Sequence, residues 1–251
     1  MKLSVAIITF NEERNIGRCL ESIQGVADEV VVLDSFSTDG TEEICKSHGV
    51  TFITHAFEGH IAQKNIAWEQ TTGTHVLSLD ADEALTPELA KSILEVKSNW
   101  PEHIHGYRFN RLTNYCGSWV RHSGWYPDTK MRLFVKGKGA WKGVNPHDRF
   151  DLQEPEKSDW LKGDLLHYSY YTRQDHYKQI EYFSDIASKE LHQRGKRVSW
   201  VLIYAKVVVQ FLKNFVVKLG FLDGKTGFVI ARLSAYATWR KYSKLKALYE
   251  A

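Results

Sequence analysis

The chain opens on an apolar, β-branched run, Leu3 to Phe10, and the same texture returns at Glu29 to Leu33, Val50 to Thr54 and Thr74 to Leu79. Short runs rich in Val and Ile predict strands. The stretches between them, Glu12 to Ile23, Thr41 to Ser47 and His60 to Gln70, place apolar residues three and four apart, the period of a helix with one buried face. Strand and helix alternate, which predicts an α/β fold with a mostly parallel sheet covered by helices on both faces. Past Gly195 the pattern changes. Trp200 to Phe221 is apolar except for a narrow helical stripe of Lys206, Gln210, Lys213, Asn214 and Lys218, and Lys225 to Tyr249 adds a second amphipathic helix. Two parts are expected, an α/β domain over residues 1–194 and a basic amphipathic helical extension over 195–251.

Ligands of parallel sheets collect at the carboxyl ends of the strands, so the polar residues there carry the first chemical signal. The first strand ends in T-F-N-E-E-R-N, Thr9 to Asn15, with no glycine before Gly17. A dinucleotide-binding turn and a phosphate loop both need glycines at this point, and both are excluded. Asn11 reads as a helix N-cap with Glu12 and Glu13 in the first turn. The second strand ends in D-S-F-S-T-D-G-T, Asp34 to Thr41, a loop dense in carboxylates and hydroxyls, where a nucleoside would find hydrogen-bonding groups. The fourth ends in D-A-D-E, Asp80 to Glu83. Three acids in four positions after an apolar strand repel one another and lose hydration, which calls for a cation. The alternative is that Asp82 and Glu83 are exposed acids ahead of a helix starting near Thr86-Pro87. A glycine-rich segment near the C-terminus, G-F-L-D-G-K-T-G from Gly220 to Gly227, has the wrong spacing for a phosphate loop and follows a helix.

Composition narrows the picture. With 251 residues, 43% hydrophobic and 25% charged, the chain can bury a real core. Three scattered cysteines, Cys19, Cys45 and Cys116, suggest neither a disulfide framework nor a zinc knuckle, and the N-terminus lacks the features of a signal peptide, so a reducing cytoplasmic setting is expected. The net charge of +3 hides a division: from Gly195 onward there are eleven Lys or Arg against two acids, leaving the first 194 residues net negative. The basic excess is interleaved with apolar residues, which argues against a nucleic-acid groove.

Together, T-F-N-E, D-S-F-S-T-D-G-T and D-A-D-E resemble the family 2 glycosyltransferases of the GT-A fold. Further on, W-Y-P-D-T-K-M-R-L-F (Trp125 to Phe134), N-P-H-D (Asn145 to Asp148) and L-L-H-Y-S-Y (Leu165 to Tyr170) resemble the bacterial subgroup that includes lipopolysaccharide-core β-1,4-glucosyltransferases. The resemblance implies an inverting transfer of a hexose, glucose from UDP-glucose in the first instance, to a lipopolysaccharide-core or lipid-linked sugar, with Mg²⁺ or Mn²⁺ as cofactor. It implies that Thr9, Asn11 and Glu12 line base and ribose, that Asp34 and Ser35 belong to the nucleoside loop, and that Asp39 accepts from the uracil ring. Asp80 would contact ribose or a metal-bound water, and Asp82 would ligate the metal, with His147 and His167 as further ligand candidates. Lys64 takes a basic place near the donor or is a solvated helix lysine, and Arg132 faces the diphosphate or pairs with an acid. Two acids compete for the general base, Asp148 in N-P-H-D and Asp128 in W-Y-P-D, with Asp148 favoured. Trp119, Trp125, Tyr126 and Trp141 are candidate stacking faces for the acceptor or core residues. A metal-dependent phosphohydrolase and a non-catalytic nucleotide-sugar or glycan-binding module are the alternatives.

The basic extension is expected at an anionic membrane surface, the inner face of the cytoplasmic membrane, as a helix in the interface. Lysines within Trp200 to Phe221 would cost roughly 2.5 to 3.5 kcal/mol each at the bilayer centre, whereas an interfacial helix leaves them among the headgroups. Packing on the catalytic domain or on a second copy is the alternative.

Overall fold

The computed structural model describes residues 1–251 apart from Asn145, Pro146, Glu156 and Ala251, with Val144 and His147 described by their backbone alone. It divides into two compact units, Met1–Arg111 with Asp128–Tyr168, and Leu112–Pro127 with Ser169–Ala251.

In the first unit the expected alternation is present: β1 (Leu3–Thr9), α1 (Ile16–Ser22), β2 (Glu29–Asp34), α2 (Thr41–Ser47), β3 (Thr51–Thr54), α3 (His60–Glu69) and β4 (His75–Asp80). These four strands pair in parallel, in the order β3-β2-β1-β4. β5 (Glu83–Leu85) and α4 (Pro87–Ser98) follow, and Thr86 caps α4 by accepting from the Leu89 amide at 3.2 Å. Beyond β4 the sheet continues with β6 (Gly106–Tyr115), β8 (Asp128–Val135) and β11 (Ser158–Tyr170), with β7 (Ser118–Val120) in the second unit. β8 lies antiparallel to β4 and β6, and β11 antiparallel to β5. β9 (Gly139–Val144) and β10 (His147–Leu152) form a separate antiparallel pair. β6 escapes the apolar-run criterion because polar and charged residues such as Arg108, Asn110 and Arg111 interrupt its core positions.

The pleat of β1 explains why both faces are covered. Leu3, Val5 and Ile7 point to one core with Ile16, Leu20, Leu89 and Ile93, while Ala6 joins Leu33, Ala67, Val76 and Phe134 on the other. On this second side Phe134 stacks on Phe150, ring centroids 3.6 Å apart, which ties β10 to the sheet. Burying a side chain such as Leu77 or Phe134 contributes roughly 1.5 to 3 kcal/mol, so the strand ends rest on a rigid base.

The second unit is mainly helical: α5 (Arg173–Gln193), α6 (Trp200–Leu212) running into a π-helical turn at Lys213–Val217, a 3-10 turn at Gly220–Asp223, and α7 (Gly224–Glu250). α5 lies in the same compact unit as the C-terminal helices. Its core joins Tyr115, Val120, Ile180, Ile230 and Leu233. The glycine-rich segment has a packing role. A Cβ on Gly227 would stand 1.8 Å from the Gly220 carbonyl oxygen, and Asp223 accepts from the amides of Arg121 and His122 at 3.2 and 2.9 Å.

Candidate active site

The loops after β1 and β2 are fastened to each other. The Asn11 amide donates to Ser37 Oγ at 2.7 Å, and Asn11 Oδ1 accepts from the Thr38 amide at 2.8 Å. Asn11 is therefore not the N-cap that its position suggests. It sits at a φ of 53° in the left-handed region, α1 begins only at Ile16, and Asn15 takes the flanking place. The Glu12 amide donates to Thr41 Oγ1 at 2.8 Å, and the Glu13 amide to Asp39 Oδ2 at 3.1 Å. Asp34 is buried and holds the Ser37 amide at 2.8 Å, while Ser35 Oγ accepts from Gln63 at 2.8 Å. Asp39 also accepts from the Thr41 hydroxyl and amide at 2.6 and 3.1 Å. Burial opposes its charge, but these donors hold its carboxyl below the usual range. Thr9 Oγ1 is buried without a protein partner. The result is a preorganised rim at the ends of β1 and β2.

At the end of β4 the acids separate into different environments. Glu83, an exposed acid in the alternative reading of this run, is buried in β5 with no side-chain exposure. Its Oε2 accepts from the Asp80 amide at 3.0 Å, and its Oε1 from Arg132 at 2.8 Å and Arg111 at 3.2 Å. Asp80 meets Arg132 Nη2 at 2.8 Å and Lys64 Nζ at 3.0 Å. Although burial works against it, Arg132 and Lys64 hold the Asp80 carboxyl well below the carboxylate range. Arg132 is 2% exposed, keeps Nε and Nη1 without protein partners, and lies 5.0 Å from the Trp141 ring centre. Lys64 is buried, which removes the solvated-lysine reading.

Lys64 reaches a second acid, Asp148 in β10, at 2.7 Å. One ammonium thus joins two carboxylates 68 positions apart in the chain. Burial raises the Asp148 carboxyl, but Lys64 outweighs it and keeps the group below its ordinary value. Asp128, the competing base candidate, is held by Arg111 at 2.9 Å and Lys130 at 2.9 Å. Lys64, Asp80, Arg132, Trp141 and Asp148 line a cavity of about 350 Å³ that Arg111 and Lys130 also border.

Asp82 turns the other way, with its Oδ2 3.2 Å from His167 Nε2. Burial would raise Asp82, yet His167 beside it lowers it below the normal carboxylate value. One carboxylate and one imidazole are oxygen and nitrogen donors that could hold a divalent cation, since such ions commonly use few protein ligands. Among the described residues no three His, Cys, Asp or Glu side chains converge on one point, and the His147 side chain lies outside the described residues. Glu12 stands near this acidic group. Burial, reinforced by the charges of Asp82, Asp39 and Asp80, pushes its carboxyl up to about 7 against a hydrogen bond from Asn15.

Sequence reasoning missed Glu83 and Arg111 as members of this network. Glu83 carried no mark beyond its place in the acidic run, and Arg111 gained its meaning only when β6 paired with β8. Of the aromatic candidates, Trp141 borders the cavity. Trp125 packs with Tyr115, Tyr170 and His176 in the second unit, and Trp119 is 37% exposed.

Residues 4–149 match the family model described as glycosyl transferase family 2. An uncharacterized glycosyltransferase of Rickettsia typhi is 30% identical over 98% of this chain and 87% of its own length. The lipopolysaccharide core biosynthesis glycosyltransferase LpsC of Rhizobium meliloti is 27% identical over 98% of this chain and 95% of its own. Among solved structures, glucosyl-3-phosphoglycerate synthase of Mycobacterium tuberculosis, crystallised with Mn²⁺, UDP and glucosyl-3-phosphoglycerate, aligns with a TM-score of 0.38 at 23% identity. That alignment covers 45% of this chain and 44% of the other. The matched region contains the fastened β1 and β2 loops, the acids after β4 and Asp148, and on that match and the near-full-length relatives the chain belongs to glycosyl transferase family 2 and is a glycosyltransferase.

Proposed function

We propose that the enzyme moves a hexose, with glucose from UDP-glucose as the first candidate, onto a lipopolysaccharide-core or lipid-linked sugar at the inner face of the cytoplasmic membrane, inverting the anomeric centre. The observation that carries this reading is the split of the acids after β4, one facing an imidazole and the other sharing Lys64 with Asp148. Asp82 and His167 are the residues that would hold Mg²⁺ or Mn²⁺. When bound, such an ion supplies positive charge to the diphosphate as the sugar-phosphate bond breaks. The fastened loops with Thr9, Asn11, Glu12, Asp34, Ser35 and Asp39 form the nucleoside side, supported by the unpartnered Thr9 hydroxyl. Arg132, with Nε and Nη1 unpartnered in the protein, would supply donors and positive charge to the diphosphate. Full-length similarity to a lipopolysaccharide core transferase supports the acceptor class.

Asp148 is the base that takes the proton from the acceptor hydroxyl as that oxygen bonds to the anomeric carbon. Its ion pair with Lys64 keeps it ionised and aimed, and the incoming diphosphate competes for the same ammonium. Asp128 has its oxygens turned to Arg111 and Lys130 and serves the acceptor side. Family membership favours transfer over the phosphohydrolase and binding-module alternatives. The test is a panel of nucleotide sugars assayed with and without Mn²⁺ by thermal shift and by sugar release. UDP-glucose with metal should stabilise and turn over best, and Asp148→Asn should lower kcat by about a hundredfold or more at nearly constant donor affinity. Asp128→Asn should act mainly on acceptor KM. The reverse pattern would exchange the two roles.

A further inference from the structure

α6 is built the wrong way round for a helix in water. Two amides of the polar stripe, in α6 and in the π-helical turn after it, face inward: Gln210 donates to Asn214 Oδ1 at 2.7 Å, and Asn214, 7% exposed, donates to the Ser123 carbonyl at 3.1 Å and to Ser234 Oγ at 3.2 Å. Lys206 lies over the Tyr242 ring at 5.4 Å, and Lys246 over Trp200 at 5.5 Å, so α6 runs antiparallel along α7. The opposite face carries Val201, Val209 and Val217, exposed by 81%, 62% and 71%, with Tyr204, Val208 and Leu212 between them. Trp200–Val217 has a mean hydropathy of 1.5 and is long and apolar enough to cross a membrane by length and composition, yet 11% of it is buried. Exposed apolar surface on this scale marks an interaction site.

The charges around the face say what covers it. From Gly195 to Lys225 there are six Lys or Arg and one acid, Asp223, whose carboxylate is spent on the Arg121 and His122 amides. Lys196 and Arg197 stand before the helix, and Lys213, Lys218 and Lys225 are exposed beyond it. An apolar strip with cations at both ends and no free carboxylate complements a bilayer whose headgroups are anionic. We infer that the outer face of α6 inserts into the acyl boundary of an anionic membrane leaflet, with the basic residues at its two ends among the headgroups. The lysine stripe is not the membrane-facing side, since Gln210 and Asn214 of that stripe are engaged within the unit. The contact is therefore chiefly apolar and should resist salt, unlike a purely electrostatic one. The inference adds a mode of attachment to the proposed function and rests on that reading only for its biological purpose.

The experiment is flotation of the full chain with vesicles of phosphatidylcholine, alone or mixed with phosphatidylglycerol, at low and high salt. Val209→Glu with Val217→Glu puts charge on exposed positions and should leave the melting temperature and sugar transfer to a water-soluble acceptor unchanged. The parent chain should float with anionic vesicles at both salt concentrations, and the double variant should lose about tenfold or more of that binding. Three outcomes overturn the inference: no flotation with anionic vesicles at low salt, complete release by salt alone, or a dimer in sedimentation that the double variant splits. Transfer that fails while flotation succeeds would instead count against the proposed activity.

Discussion

The two units depart from the ordinary burial rule in opposite directions. In the first, Lys64, Glu83 and Arg132 are taken out of water around the carboxyl end of β4, and each finds an opposite charge within 3.0 Å. In the second, valines and aromatics of α6 are left in water while Gln210 and Asn214 are turned inward. A buried charge is tolerated where partners are arranged around it, and an exposed apolar face where something else covers it. The first departure is closed within the unit except at Arg132, whose Nε and Nη1 have no protein partner, whereas the second is closed by no described residue of its own unit. Burial anomalies of this kind locate function better than motif spelling does, because each names the chemistry of the missing partner.

The sharpest way to break this contrast is Asp82→Ala. If the acid serves a ligand rather than the fold, transfer should fall by a thousandfold or more and metal-enhanced UDP binding should vanish, with the melting temperature close to that of the parent. Near-normal turnover in the presence of metal would remove Asp82 from the site. Glu83→Ala probes the opposite kind of acid in the same four residues. It strips Arg132 and Arg111 of a buried partner, and urea unfolding should show a loss of about 3 to 5 kcal/mol. A loss below 1 kcal/mol would mean that the network adapts, and that the first unit is less committed to its buried charge than its geometry implies.

A smaller effect concerns Glu12. Its carboxyl is raised in the folded state to about 7 from 4.5, so folding favours its protonated form. Stability tied to this group is fully present below pH 4.5 and declines as the pH rises toward 7, the reverse of a salt-bridged acid. Glu12→Gln should match the parent near pH 4 and exceed it at pH 8 by about 2 kcal/mol at most, after allowance for solvent screening. Melting temperatures across that range check it, and parallel profiles for parent and variant would show that Glu12 ionises freely.

Much of the first unit was legible in the chain. The four apolar runs, the helices between them and the polar loops at strand ends follow from local periodicity, and β1 to β4 lie within a residue or two of where the pattern puts them. The helix after β1 was drawn too long because Asn11 resembles a cap, whereas its amide and side chain are used by the neighbouring loop. Asp80, Asp82, Asp148, Lys64 and Arg132 were all named from their motifs, but their grouping was not.

What the sequence determined by itself is what a short window contains: period, loop chemistry, the cluster of acids and the change of charge near Gly195. The tertiary structure alone decided which acids share which cation, because the Lys64–Asp148 and Arg132–Asp80 contacts span 84 and 52 positions and depend on strand pairing. It also decided the orientation of α6. A helical period shows that two faces differ, but the neighbours that satisfy Asn214 lie 91 and 20 positions away, at Ser123 and Ser234, and such contacts turn Gln210 and Asn214 inward and leave the apolar face out.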